Sequence, residues 1–266
     1  MNPAEMEETQ GEQKSSSKEH CIGSQPYDPK MLAKELEKSV CQGSQRKYYR
    51  LARAGHWYGG IATADCCGCN LRCVFCWSGK PRNHPETMGT FYQPFEVAGA
   101  LIDCARKRRY QLVRISGNEP TLGREHLIQV MHSVERSGLA FILETNGILL
   151  DLSLAKALSS FSNLHVRVSL KGTDPEEFYL LTGARQESFS LQLSALENLL
   201  VAGVSCHPAV MASFSSPDNM EHLRTTLRMI SSDLVRNLEE EIVIIYPHVA
   251  RRLKQAGLRP RKSYRP

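Results

Sequence analysis

The 266-residue sequence contains no uninterrupted apolar run near the ~18 residues a membrane span needs. We therefore expect no membrane span and no membrane partner. Its first stretch, Met1 to Gln13, lacks the basic-then-apolar pattern of a secretory signal, which predicts a cytoplasmic protein. There is no internal repeat. A broad excess of one charge is also missing: the formal net charge is only +5. Residues 251–266 hold five Arg, two Lys and no acid, so they carry +7 and leave −2 for the rest. The body therefore lacks a basic nucleic-acid surface, and only the basic C-terminal tail, 251–266, is a candidate for one.

What is abundant is cysteine. Of nine, five fall between Cys66 and Cys76. In a reducing compartment such thiols serve more often as metal ligands than as disulfides. The segment reads Asp65-Cys66-Cys67-Gly68-Cys69-Asn70-Leu71-Arg72-Cys73-Val74-Phe75-Cys76-Trp77. Cys66, Cys69, Cys73 and Cys76 form two CxxC pairs, and four thiolates suit a structural zinc. The pairs stand closer together than the 15–20 residues usual for such a site. Inert core thiols are a poor fit to so dense a Gly- and Arg-containing loop. A short loop wrapping several cysteines around one [4Fe–4S] cluster is the third reading.

Around this segment the chain divides into a polar, poorly ordered N-terminal extension (1–55), a core (56–250) and the tail. Residues 1–28 predict no fixed structure, and Pro29–Lys38 a short helix. Tyr48–Ala54 has no clear pattern. Strands are expected at Trp57–Ala64, Gln111–Ser116, Ala140–Glu144, Leu164–Leu170, Val204–Met211 and Glu241–Tyr246. The helices between them are Pro94–Arg109, Gly123–Ser137, Asp151–Ser160, Ser188–Ala202 and Pro217–Leu238, with a short turn at Pro175–Leu181. Six successive βα units imply parallel strands with right-handed crossovers. In the fourth strand, Leu164, Val166, Val168 and Leu170 share one face, and His165, Arg167, Ser169 and Lys171 the other. A doubly wound sheet usually reads apolar on both faces. One polar face instead favours an α/β partial (β/α)6 barrel around a polar cavity.

Cys69-x3-Cys73-x2-Cys76, with an aromatic before the last cysteine, resembles the signature of the radical S-adenosylmethionine (radical SAM) superfamily. Other segments resemble that family's motifs. Arg114-Ile115-Ser116-Gly117-Asn118-Glu119-Pro120 is similar to its Gly-Gly-Glu-Pro turn, with Asn118 for the second glycine. Glu144-Thr145-Asn146-Gly147, Ser169-Leu170-Lys171 with Phe178 to Gly183, and Tyr246-Pro247-His248 look like motifs of the glycyl-radical-enzyme activating enzymes, the pyruvate formate-lyase activase type. Alone, each also reads as an ordinary turn. All fall at the C-terminal ends of expected parallel strands, the catalytic face of a β/α barrel.

The resemblance implies that Cys69, Cys73 and Cys76 hold three irons, and the amino and carboxylate groups of SAM the fourth. A one-electron donor of the flavodoxin or ferredoxin type then drives cleavage to a 5′-deoxyadenosyl radical, which abstracts hydrogen from a protein or small-molecule substrate. It further implies Phe75 and Trp77 beside the adenine, Gly117, Asn118 and Glu119 at the amino group, and Thr145 and Asn146 in the cofactor site. Ser169, Lys171 and His248 would lie at the carboxylate or ribose, with Lys171 and His248 the candidate catalytic groups. Arg114, His165 and Arg167 either receive an anionic substrate or pair internally with Glu119 and Glu144. Two alternatives stay open: an RNA-modifying radical enzyme using the tail, and a non-catalytic zinc- or cluster-binding module.

Overall fold

The computed structural model describes residues 25–266; most of the segment expected to lack structure, residues 1–24, lies outside the described residues. Asp28 caps α1 (Pro29–Val40), accepting from the amides of Lys30 and Met31 at 2.8 and 3.3 Å. A hairpin follows, β1 (Cys41–Gln42) with β2 (Gln45–Gly55), and β2 pairs antiparallel with β3 (Ile61–Cys66). Thus residues before 56 supply two strands to the main sheet. The cysteine loop runs through α2 (Lys80–Asn83) to β4 (Thr90–Tyr92), which returns to β2.

From there strands and helices alternate: α3 (Pro94–Arg108), β5 (Leu112–Ser116), α4 (Arg124–Glu135), β6 (Ala140–Thr145), α5 (Leu152–Leu158) and β7 (Leu164–Leu170). Next come α6 (Pro175–Thr182), α7 (Phe189–Val201), β8 (Cys206–Met211), α8 (Pro217–Ile230), α9 (Ser232–Arg236) and β9 (Glu239–Glu241). The chain continues through β10 (Val243–Ile244) and α10 (Pro247–Gln255) to β11 (Ser263–Tyr264). Helix α4 gives way to β6 through Gly138 and α7 to β8 through Gly203, each glycine at a positive φ of 77° and 72°.

The six strands β3-β5-β6-β7-β8-β9 are parallel neighbours in chain order. Strand order never reverses, as it must in a doubly wound sheet. The result is a six-stranded partial barrel with helices outside. On β7, Leu164, Val166, Val168 and Leu170 are buried under the helices, while Arg167 and Ser169 are buried facing inward. No helix among the described residues is long and apolar enough to cross a membrane.

Four boundaries depart from the sequence expectation. Trp57–Gly59 forms a 3-10 turn, so the first barrel strand starts at Ile61 and not Trp57. Gly60, at φ 134°, is pressed against Tyr110, and a side chain there would overlap that ring. The helix expected over Pro217–Leu238 breaks at Ser231, which is extended and caps α9 through its side chain. The sixth barrel strand is Glu239–Glu241, earlier than expected; Val243–Ile244 leaves the barrel to pair with Ser263–Tyr264. Ion pairs decide that register, since Arg167 binds Glu239 and Glu241 while Arg224 binds Glu240. Finally, residues 251–266 are folded onto the core: 251–255 lie in α10, and the Arg261 amide donates to Ser213 O at 2.6 Å.

Candidate active site

A cavity of about 690 Å³ opens at the C-terminal ends of the barrel strands and extends down the barrel interior. That volume suits a small-molecule ligand. Cys69, Cys73 and Cys76 line it, with Phe75 and Trp77 from the same loop. Gly117, Asn118 and Glu119 reach it from the end of β5, Thr145 and Asn146 from β6, and Ser169 and Lys171 from β7. These motifs therefore line one cavity. His248 does not line this cavity; its Nε2 donates to Trp77 O at 2.8 Å and its ring stacks on Tyr246.

The five clustered cysteines divide sharply. Cys66 Sγ donates to Ser116 O at 3.3 Å and Cys67 Sγ to Met88 O at 3.6 Å, both sealed from the cavity. By contrast, Cys69 Sγ accepts from Leu71 N at 3.4 Å and from Asn146 Nδ2 at 3.8 Å. Donors aimed at a sulfur suit a thiolate. Burial pushes Cys69 up to about 12, and Glu119 adds to the rise. Burial likewise pushes Cys73 up to about 11, against the pull of the Lys171 ammonium. Such thiols stay protonated at neutral pH unless a metal displaces the proton. Three thiols lining one cavity, with donors aimed at the sulfur of Cys69, fit an iron–sulfur cluster, and the two sealed thiols do not.

Glu119 is buried and fully engaged. Its carboxylate accepts from Thr121 Oγ1 and Thr145 Oγ1 at 2.7 Å, Thr121 N at 3.2 Å and Asn146 N at 2.8 Å. It ties the β5 turn to the β6 turn. Asn118 donates to Cys66 O at 2.7 Å, but its Oδ1 is buried without a partner among the described residues, as is Asn70 Nδ2. Buried orphans of this kind are rare, and Asn118 lines the cavity. An acceptor at Asn118 fits an amino group. On the opposite side, Lys171 Nζ donates to Ser169 Oγ, which donates to Glu241 Oε2 at 3.0 Å, and the ammonium lies 5.9 Å over the Phe75 ring.

Deeper in the barrel the charges are matched internally. Arg114 pairs with Glu144, whose second oxygen accepts from Ser116 Oγ at 2.7 Å. Arg167 binds both oxygens of Glu239 at 2.9 Å and also Glu241. The pair partner expected at Glu119 is thus replaced by Glu239 and Glu241 of β9. These contacts hold Glu239 down to about 2, with His207 and Arg167 as the main causes. His165 completes a chain, bonded to Ser205 Oγ at 2.7 Å and to His207 at 2.6 Å. Arg114, Arg167 and His165 are consequently occupied, which removes the case for an anion held by them.

Sequence reasoning missed Gln192. It is fully buried on α7 and bonds Asn146 O, Ser169 O and Lys171 N, fastening the ends of β6 and β7. The signal was available: an amide set between Leu191 and Leu193.

Comparison with known proteins agrees with this arrangement. The family model described as the radical SAM superfamily matches residues 65–230, more than half of the chain. Over 139 residues, 51% of this chain and 32% of the relative, the sequence is 30% identical to the Fe-coproporphyrin III synthase of Methanosarcina barkeri. It is 38% identical over 90 residues to the 7-carboxy-7-deazaguanine synthase of Hyperthermus butylicus, covering 31% of this chain and 32% of that protein. The fold is similar to Streptococcus suis SuiB bound to precursor peptide SuiA, with a TM-score of 0.54, 15% identity, and coverage of 68% of this chain and 42% of that one. None of these three bears the name of an activating enzyme. The chain spans about a third to a half of the length of the curated relatives it matches. With the cysteine loop on the barrel's C-terminal face and a family match beginning at Asp65, the chain belongs to the radical SAM superfamily, with a [4Fe–4S] cluster and S-adenosylmethionine as its cofactors.

Proposed function

We propose that the chain abstracts hydrogen from a protein or small-molecule substrate at the mouth of this cavity. The observation that carries the reading is the convergence of Cys69, Cys73 and Cys76 with Asn118, Ser169 and Lys171 on one cavity. When bound, the cluster and SAM supply reductive SAM cleavage and the hydrogen abstraction that follows. Cys69, Cys73 and Cys76 hold the iron, leaving one position open. Asn118 Oδ1 accepts from the SAM amino group, and Lys171 faces its carboxylate. Phe75 and Trp77 cover the adenine. Glu119 and Gln192 position these groups by tying the ends of the strands together, and His248 does so through the Trp77 carbonyl.

A protein or small molecule is favoured over RNA. Part of the basic stretch is spent on the fold itself, with Arg252 bonded to the carbonyls of Cys76 and Ser78. The activase-like run is also structural in use. Leu181 O accepts from Val74 N at 2.9 Å, and Glu177 gathers Thr173 and Ser215, so the run supports the cysteine loop. It speaks for the shared chemistry more than for a glycyl-radical partner.

Anaerobic reconstitution, reduction by a flavodoxin- or ferredoxin-type donor, and chromatography for 5′-deoxyadenosine test the reading. A brown protein that cleaves SAM is expected; a colourless protein with tight zinc sinks it. Salt-dependent RNA affinity, lost on deleting residues 257–266, would move the substrate to RNA.

A further inference from the structure

Each cavity cysteine offers its backbone carbonyl to a different arginine. Arg72 Nη1 donates to Cys69 O, Arg82 Nη1 to Cys73 O at 2.6 Å, and Arg252 Nη2 to Cys76 O. The three come from the loop itself, from α2, and from α10, which lies 176 residues beyond Cys76. Arg82 is buried, and neither Arg72 nor Arg82 pairs with a carboxylate among the described residues.

A carbonyl does not need a cation. Gln192 satisfies two of them nearby with a neutral amide. Guanidinium is permanently charged, and burying it without an opposing charge is costly. For Arg72 and Arg82 an opposing charge at this place is that of the three cysteine thiolates. Repeating the choice at all three cysteines points to a use for the charge as well as for the hydrogen bond.

We propose that Arg72, Arg82 and Arg252 form a cationic collar that raises the reduction potential of the cluster held by Cys69, Cys73 and Cys76. The inference rests on the ligand reading above. In the step concerned, a one-electron donor of the ferredoxin or flavodoxin class is oxidised by one electron, which enters the cluster. No bond or proton is transferred. Reduction adds negative charge beside three fixed positive ones, and net charge around a cluster sets its potential. The arginines are positioning residues, since they act through the ligand loop and its field.

The test is a redox titration of the reconstituted holoenzyme, with the reduced cluster counted by its paramagnetic signal. R72Q, R82Q and R252Q remove charge, and the matching lysine variants restore it. Each glutamine variant should lower the reduced-to-oxidised ratio at a fixed potential about tenfold, a midpoint about 59 mV lower for one electron. Lysine should return the midpoint toward wild type. If one glutamine variant fails to load iron, the other two decide. An unchanged midpoint in fully loaded glutamine variants overturns the collar. So does loss of iron from all three, with lysine no better, which marks them as structural props. C73A separates the two levels: a full cluster signal there overturns the ligand reading itself, whereas its loss beside unshifted midpoints overturns only the collar.

Discussion

Cys67 and Cys69 are separated by a single glycine, yet they belong to different parts of the protein. Cys66 ends β3 in register with Tyr48 of β2, and its sulfur points into the packed layer between sheet and helices. Cys67 follows, packed against Gly89, where an added Cβ would stand 2.7 Å from its sulfur. At Gly68 the chain turns with a positive φ of 81°, and the three loop cysteines beyond it, Cys69, Cys73 and Cys76, line the cavity. Before the turn the sulfurs donate to carbonyls; after it Cys69 receives donors, and the carbonyls of all three cysteines are held by arginines. One class of side chain thus packs in the core or lines the cavity according to where the strand stops.

The sharpest way to break this comparison is to remove a sulfur from the open side. Cys69→Ala, Cys73→Ala or Cys76→Ala should abolish the visible absorbance of the reconstituted protein and all SAM-derived 5′-deoxyadenosine. A variant that keeps both would dissolve the distinction.

The second effect belongs to the sealed side. His126 is buried beneath β2, its Nε2 3.0 Å from the Tyr48 hydroxyl and its Nδ1 2.8 Å from Ser44 O. Burial lowers it to about 4 from an ordinary 6.5, so the folded protein holds it neutral. The unfolded chain then binds more protons between those values. The neutral ring's contribution, about 3 kcal/mol, is fully present above pH 6.5 and is lost as pH falls toward 4. Denaturant midpoints should drop across that window, and His126→Gln should flatten the slope. An unchanged slope in that variant would place the acid sensitivity elsewhere.

Legibility followed the same division. Strands β5 to β8 were readable because apolar residues alternate or run together between helix stops. The polar strand β2 was not, since Arg46, Arg50 and Arg53 each find a partner that sequence cannot supply: Cys67 O for Arg46, Asp65 for Arg50 and Arg53. The acidic strand Glu239–Glu241 was misplaced for a similar reason. Its register is set by Arg167, 72 residues earlier. In the site, spacing located the three cysteines, and strand ends located Asn118, Ser169 and Lys171. The residues that hold backbone carbonyls, Gln192, Arg82 and Arg252, leave no local pattern because their partners are distant main-chain atoms.

On the open side, Lys171→Met sharpens the assignment without touching a sulfur. The ammonium sits beside Ser169 and Phe75 and lines the cavity. Losing a charged hydrogen bond to the SAM carboxylate should weaken SAM binding by about 1.5–3 kcal/mol, with iron content unchanged. Anaerobic titration returning the wild-type affinity would remove Lys171 from the site.

The smallest expected effect tests the sealed pair directly. Replacing Cys66 and Cys67 together by Ala removes two weak S–H donors, and thiol hydrogen bonds are worth less than those of oxygen and nitrogen. It also leaves two small voids, each no larger than a sulfur, in a layer already tight around Gly89 and Tyr48. The combined cost should be about 1–2 kcal/mol of folding stability, read from denaturant midpoints. Absorbance and SAM cleavage should stay near wild type, because neither sulfur reaches the cavity. Should the double variant lose its cluster as completely as Cys73→Ala, the turn at Gly68 is not the boundary between packing and ligation. A double variant that unfolds while still binding iron would instead show that the sealed pair matters more to the sheet than its weak hydrogen bonds imply.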